Sequence, residues 1–291
     1  MKKNYYGYFY CLPAVVFMLA FVGYPIIYNI ILSFQNCDIM SFNSNTNVFN
    51  NGLNYKNVIN NPLFTTALGQ TFFFTFFCIV FQFVFGLLFA LFFNLKFRLA
   101  EPIRGLVLVS WMIPLTVTGM LFKFMLSPSS GVINYLMLSL HLIKEPIGWL
   151  VDENLALWSI IITNTWVGIP FNMILLSTSM STIPAELYES ASIDGANSFV
   201  KLIKITLPMI KPAIMSMLML GLIYTFKVFD LIFVMTGGGP VNSTEVLSTV
   251  SYRLSFNQFD FGQGAATANI LFVILLIISL GYLKMLNKEE I

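Results

Sequence analysis

Charge is what this sequence has least of. Asp, Glu, Lys and Arg make up 10% of its 291 residues, whereas water-soluble domains carry roughly a quarter. A soluble globule is excluded. The net charge is only +2 and no basic run occurs, which excludes a nucleic-acid partner. Histidine occurs once, at His141, and cysteine three times, at Cys11, Cys37 and Cys78. Their spacing fits no metal site, so no metal is expected. Cys11 and Cys78 fall inside apolar segments, which leaves Cys37 without an obvious partner and predicts three unpaired thiols. His/Glu or Asp pairs at metal spacing and a convincing Ser/His/Asp set are missing, so no catalytic residue is assigned. There is no G-x-x-x-x-G-K-S/T loop, so the chain has no recognisable means of binding ATP and no cofactor of its own.

Apolar surface takes the place of charge. Hydrophobic residues make up 57% of the chain, 30 residues are Phe, and the mean hydropathy is +0.81. A spanning helix needs ~20 mostly apolar residues to cross ~30 Å of hydrocarbon. Six stretches qualify, at about 9–34, 67–93, 104–126, 157–181, 209–233 and 264–285. The chain is therefore predicted to be all-α, a single polytopic membrane domain over 1–291. Its first apolar run, behind Met1-Lys2-Lys3, exceeds the ~7–15 residues of a signal-peptide core and lacks a small-x-small cleavage site. It reads as a retained span.

Lysine and arginine predict the orientation. With the N-terminus in the cytoplasm, that side holds Lys2, Lys3, Lys96, Arg98, Arg104, Lys201, Lys204, Lys211, Lys284 and Lys288. The outer side holds Lys56, Lys144 and Arg253. Ten against three places both termini and the 182–208 passage in the cytoplasm, and 234–263 outside.

Two spans carry polar stripes at helical spacing. Thr71, Thr75, Cys78, Gln82 and Gly86 form one; Asn164, Gly168, Asn172 and Ser179 form the other. Small and polar residues join membrane helices, so the stripes are either helix contacts or the lining of a polar path. The 182–208 passage predicts a helix–turn–helix: Pro184 starts a helix over 185–193, Asp194-Gly195 turns, Ser198 caps a second helix, and Leu207-Pro208 ends it. Small residues there admit another backbone, and Glu186 and Glu189 can pair with cations. An ordinary amphipathic surface loop is the alternative.

The stretch "ESASIDGANSFVKLIKITLP" resembles the EAA loop of permease subunits from binding-protein-dependent ABC importers. The matching residues are Glu189, Ala191, Gly195, Ile205, Leu207 and Pro208, with Ser190 where alanine is usual. "FDLIFVMTGGGPVNST", Phe229 to Thr244, resembles the segment after the fifth span in carbohydrate-type permeases of the maltose and glycerol-phosphate branches. The resemblance implies a bacterial cell-membrane permease in which this loop is the coupling helix. Glu186, Glu189, Ala191, Asp194 and Gly195 would then dock on an ATPase subunit. It implies two ATPase subunits that bind ATP and Mg, a second and related permease subunit, and an extracellular solute-binding protein. The implied cargo is a carbohydrate, an oligosaccharide in particular, moved by alternating access; a non-sugar solute such as glycerol phosphate is the alternative. An ion-coupled transporter is a rival, but Asp230 is the only acid near a span. A membrane-embedded enzyme is another, and lacks catalytic residues.

Lys123 and Lys227 lie within spans. A lysine there costs ~2.5–3.5 kcal/mol on insertion scales, less near the ends, so each needs a use or an escape. Lys123 can snorkel outward, and Lys227 can pair with Asp230 one turn on. Alternatively one or both face a central cavity and attract an anionic sugar, such as a uronic-acid oligosaccharide, with Trp166, Asn172 and Tyr224 supplying stacking and polar contacts.

Overall fold

The computed structural model describes residues 6–44, 48–95 and 97–286. Lys2, Lys3, Lys96 and Lys288, four of the ten residues behind the predicted orientation, lie outside them. Helices α1 (Tyr6–Met18) and α2 (Tyr24–Ser33) run on through a π turn at Leu19–Gly23. Strands β1 (Gln35–Asn36) and β2 (Val48–Phe49) pair antiparallel, Gln35 opposite Phe49, around α3 (Ile39–Ser44). Then come α4 (Leu53–Asn60), α5 (Pro62–Asn94), α6 (Ala100–Met112), α7 (Leu115–Met125), α8 (Val132–Ser139) and α9 (Glu153–Ser181). The second half holds α10 (Ala185–Ile193), α11 (Ser198–Lys201), α12 (Leu207–Met209), α13 (Lys211–Phe226), α14 (Asp230–Met235), α15 (Leu247–Tyr252) and α16 (Phe261–Leu286).

Among the described residues, four helical runs are long and apolar enough to cross a membrane unaided: Phe9–Ser33, α5, α9 and Phe261–Lys284. The other two expected spans are bent. The span expected at 104–126 breaks between α6 and α7 through 99°. Pro114 is the cause: it removes a backbone donor and pushes Ile113 to an extended ψ of 130°. The run Ser198–Met209 meets α13 at 70°, and the span expected at 209–233 also opens again at 227–229, between α13 and α14. Pro212 lies in the first turn of α13, where its missing N–H is no loss. No Pro or Gly marks the 227–229 break. Among the described residues, counting each bent pair as one span gives up to six candidates by length and composition, the second pair running from Ser198 to Phe226 where 209–233 was expected.

The chain divides into two compact units, drawn from Met1–Thr66 with Leu247–Ile277 and from Ala67–Val246 with Ile278–Ile291. The first is tied by side-chain amides. Asn54 donates to the carbonyls of Ser33 and Gln35, both at 2.9 Å, and Asn29 donates to Asn269 Oδ1 at 2.7 Å. Asn269 in turn donates to the Tyr55 hydroxyl at 3.2 Å.

The second unit is built on α5 and α9. The sequence stripes meet there: Thr71, Thr75, Cys78 and Gln82 are buried on α5, and Asn164 and Asn172 on α9. Gln82 Nε2 donates to the Asn164 carbonyl at 3.1 Å. The seam depends on glycine, because a Cβ at Gly86 would sit 2.6 Å from Asn172 Cβ, and one at Gly168 only 2.3 Å from Gln82 Cδ. Apolar cores flank the seam. Phe74, Ile160, Ile161, Leu231, Ile232 and Met235 fill one, and Ala90, Met173, Leu176, Met180 and Met217 the other. Among the described residues no cysteine forms a disulfide; Cys37 and Cys78 are buried and Cys11 is exposed.

Candidate functional site

Within the second unit, where the broken spans approach the α5–α9 seam, lies a cavity of about 770 Å³. That falls inside the ~300–1,000 Å³ range of small-molecule sites. The seam supplies Gln82, Asn164, Gly168 and Asn172. Trp111, Ile113 and Leu115 come from the α6–α7 break, and Tyr224 and Leu220 from α13. Lys227, Val228, Phe229 and Asp230 come from the α13–α14 break. Trp111 and Phe171 pack together with ring centroids 5.5 Å apart. The cavity therefore offers aromatic faces, three amides, one cation and one carboxylate. Helix breaks are what bring the last two to its wall.

Four of the six residues expected along a substrate path line this cavity: Asn172, Tyr224, Lys227 and Asp230. Lys123 and Trp166 do not. Lys123 lies on α7, and its Nζ donates 3.0 Å to the Val234 carbonyl near the end of α14. Trp166 packs on Phe122, centroids 5.4 Å apart. The expected Lys227–Asp230 pair is also corrected. It required a continuous helix, whereas α13 stops at Phe226 and α14 begins at Asp230. Lys227 Nζ instead lies 5.3 Å from the centroid of the Tyr224 ring, a cation–π position. Sequence reasoning had Gln82, Asn164 and Gly168 as stripe residues but missed Trp111, Phe171 and Phe229. The Ile113-Pro114 break was the available signal for Trp111.

The 182–208 passage forms the expected helix–turn–helix. Asp194 caps α10 at its C-terminus, and the turn that follows is a Schellman motif: Ala196 N–H bonds the Ala191 carbonyl at 2.8 Å and Gly195 N–H that of Ser192 at 3.1 Å. This turn needs φ +79° at Gly195, a left-handed value that glycine adopts without penalty. Asn197, rather than the expected Ser198, caps the next helix by accepting from Val200 N–H at 2.9 Å. That helix continues through a π turn at Leu202–Thr206 into α12, so Pro208 does not end it; the break falls at Ile210. Two side-chain bonds hold the arms together: Tyr188 hydroxyl to Thr206 at 2.9 Å and Lys201 Nζ to Ser192 at 2.5 Å.

Glu186, Glu189, Asp194 and Gly195 are exposed and Ala191 half-buried. Ile193 is 88% and Phe199 67% exposed, two large apolar groups among acids. The turn is thus pre-formed and held by its own hydrogen bonds, with apolar side chains left exposed beside acids.

Spans broken around an amphipathic cavity, with an exposed, hydrogen-bonded turn beside them, fit a membrane transport subunit. The comparisons place it more closely. The chain belongs to the family of binding-protein-dependent transport system inner membrane components, matched over residues 82–286. It is 31% identical over 294 residues to the lactose transport system permease protein LacF of Rhizobium radiobacter, covering 99% of this chain and 96% of that protein. It is 35% identical over 182 residues to the trehalose/maltose transport system permease protein MalF of Thermococcus litoralis, covering 62% and 61%. The fold matches a chain of a bacterial ABC transporter involved in the import of the acidic polysaccharide alginate, with TM-score 0.83, 24% identity and coverage of 99% and 96%.

Proposed function

We propose that this permease moves a carbohydrate, an oligosaccharide, into the cytoplasm by alternating access, driven by ATP that partner subunits hydrolyse. The cavity carries the reading: aromatic faces at Trp111, Phe171 and Tyr224 stand beside the amides of Gln82, Asn164 and Asn172. Sugar rings present apolar faces to aromatics and hydroxyls to amides. The sugar-transport names of LacF and MalF agree with this cargo class.

In this reading α10 and the Gly195 turn dock in an ATPase subunit that binds ATP and Mg. A second permease subunit, related to this one, completes the path, and an extracellular binding protein delivers the sugar. The passage 182–208 and both termini face the cytoplasm, supported by the ten-to-three count of basic residues.

An affinity-tagged chain taken from its native membrane is expected to copurify with an ATPase and a second permease. ATP hydrolysis by that complex should rise when the sugar-loaded binding protein is added. A chain that purifies alone and transports sugar alone contradicts the proposal. With Cys11 replaced by serine, an impermeant thiol reagent added outside is expected to label Asn257→Cys and not Ile193→Cys; the reverse pattern overturns the orientation.

A further inference from the structure

The break at 227–229 does more than bend the fifth span. On a continuous helix Lys227 and Asp230, three residues apart, would be neighbours able to pair. With α13 ending at Phe226 and α14 starting at Asp230, no salt bridge between them forms among the described residues, and both line the cavity. Among the described residues, the Lys227 ammonium lies against the Tyr224 ring, whose centroid is 5.3 Å away. Such a ring attracts a cation without neutralising it. A lysine at membrane depth is retained where it faces a polar path and meets a counter-charge. Asp230 lines the same cavity, but among the described residues it forms no salt bridge with Lys227.

We infer that the cargo supplies the counter-charge, and that the cavity takes a uronic-acid-containing oligosaccharide whose carboxylate sits against Lys227 while its hydroxyls donate to Asp230. This rests on the carbohydrate reading above and narrows it. The two charges divide the work. Lysine offers three donors and no acceptor, so it suits a carboxylate better than a hydroxyl. Asp230 only accepts when ionised, so it welcomes a hydroxyl-bearing sugar and repels a bare anion. A wall with one of each sign thus selects a polyhydroxylated acid over both phosphate and a simple carboxylate. Discrimination of this kind needs a repulsive element as well as an attractive one.

The test uses the assembled importer with its binding protein in proteoliposomes. Trisaccharides of galacturonic, glucuronic, mannuronic and guluronic acid are compared with neutral trisaccharides of galactose, glucose and mannose. The wild type is expected to import at least one uronate trisaccharide, and high salt should weaken that uptake more than uptake of a neutral sugar. Lys227→Met should weaken half-saturation for the uronate about 10- to 100-fold, the scale of one lost charge-assisted hydrogen bond. It should weaken neutral uptake much less than uronate uptake, and Lys227→Arg should keep the preference for acid. Import of neutral trisaccharides alone overturns this inference and leaves the carbohydrate reading standing. Import of no saccharide at all overturns both. Uronate import affected by Lys227→Met no more than neutral import is overturns the role of Lys227. If that variant fails to assemble, the wild-type panel and its salt dependence still decide.

Discussion

Gly195 separates the shape of the 194–196 turn from its proposed use. Its left-handed φ of +79° is required by the Schellman bonds that close α10. A Cβ placed there meets nothing within 4 Å in this chain. Alanine or valine at 195 therefore costs only the backbone term, about 1–2 kcal/mol for an L-residue in that region. That is enough to shift the turn population about tenfold and too little to unfold a span-sized helical protein. Asparagine tolerates the same conformation, so Gly195→Asn keeps the turn and adds bulk alone. If an ATPase subunit approaches the backbone at this point, the added side chain meets the partner instead. Gly195→Asn and Gly195→Val should both reach the membrane at wild-type abundance, the first with an unchanged thermal midpoint and the second with one lowered by a few degrees at most. Stimulation of ATP hydrolysis by sugar-loaded binding protein should fall more than tenfold in both. Full stimulation in Gly195→Asn, with loss in Gly195→Val, would refute close approach and reduce the glycine to a backbone requirement. Failure of either variant to insert would make the residue structural.

Three other substitutions probe the frame. Gly86→Leu drives a side chain into Asn172 across the α5–α9 seam, and overpacking of about 1–3 kcal/mol should lower the thermal midpoint of the purified complex. Lys123→Met removes the bond to the Val234 carbonyl. Because Lys123 is exposed and outside the cavity, the loss should stay below about 1.5 kcal/mol, and the relative uptake of acidic and neutral sugars should not change. Asn134 is 2% exposed, and its amide holds Ile147 at both backbone groups and Trp149 Nε1 at 3.0 Å. Asn134→Ala leaves buried partners unpaired, so about 1–3 kcal/mol should be lost and Trp149 emission should move to longer wavelength.

The sequence carried the long elements well, because a run of apolar residues at membrane length has few other uses. Phe9–Ser33, α5, α9 and α16 lie within a few residues of their expected limits. Asp194-Gly195 was legible because only a few residues accept that turn. The breaks were harder. Pro114 sat in an apolar run that still averaged as one span, and a hydropathy window is blind to a bend. The 227–229 break carries no proline or glycine at all, so the helical spacing of Lys227 and Asp230 suggested a pair that the break undoes. Lys123 and Trp166 show the complementary limit. Residue type names what a side chain can do, but the facing of a helix decides what it meets. Both belong to α7 and α9 contacts outside the cavity.

In the proposed function, sugar moves through this chain on energy from a partner's ATP. Uptake of radiolabelled oligosaccharide tests it most directly, in proteoliposomes holding the assembled importer. ATP sealed on the side of the Gly195 turn and sugar-loaded binding protein on the opposite side should together give accumulation against a gradient. Proton or sodium gradients without ATP should give none. Accumulation driven by an ion gradient without ATP, or ATP-driven uptake undiminished when α10 and its turn are deleted, would contradict the account.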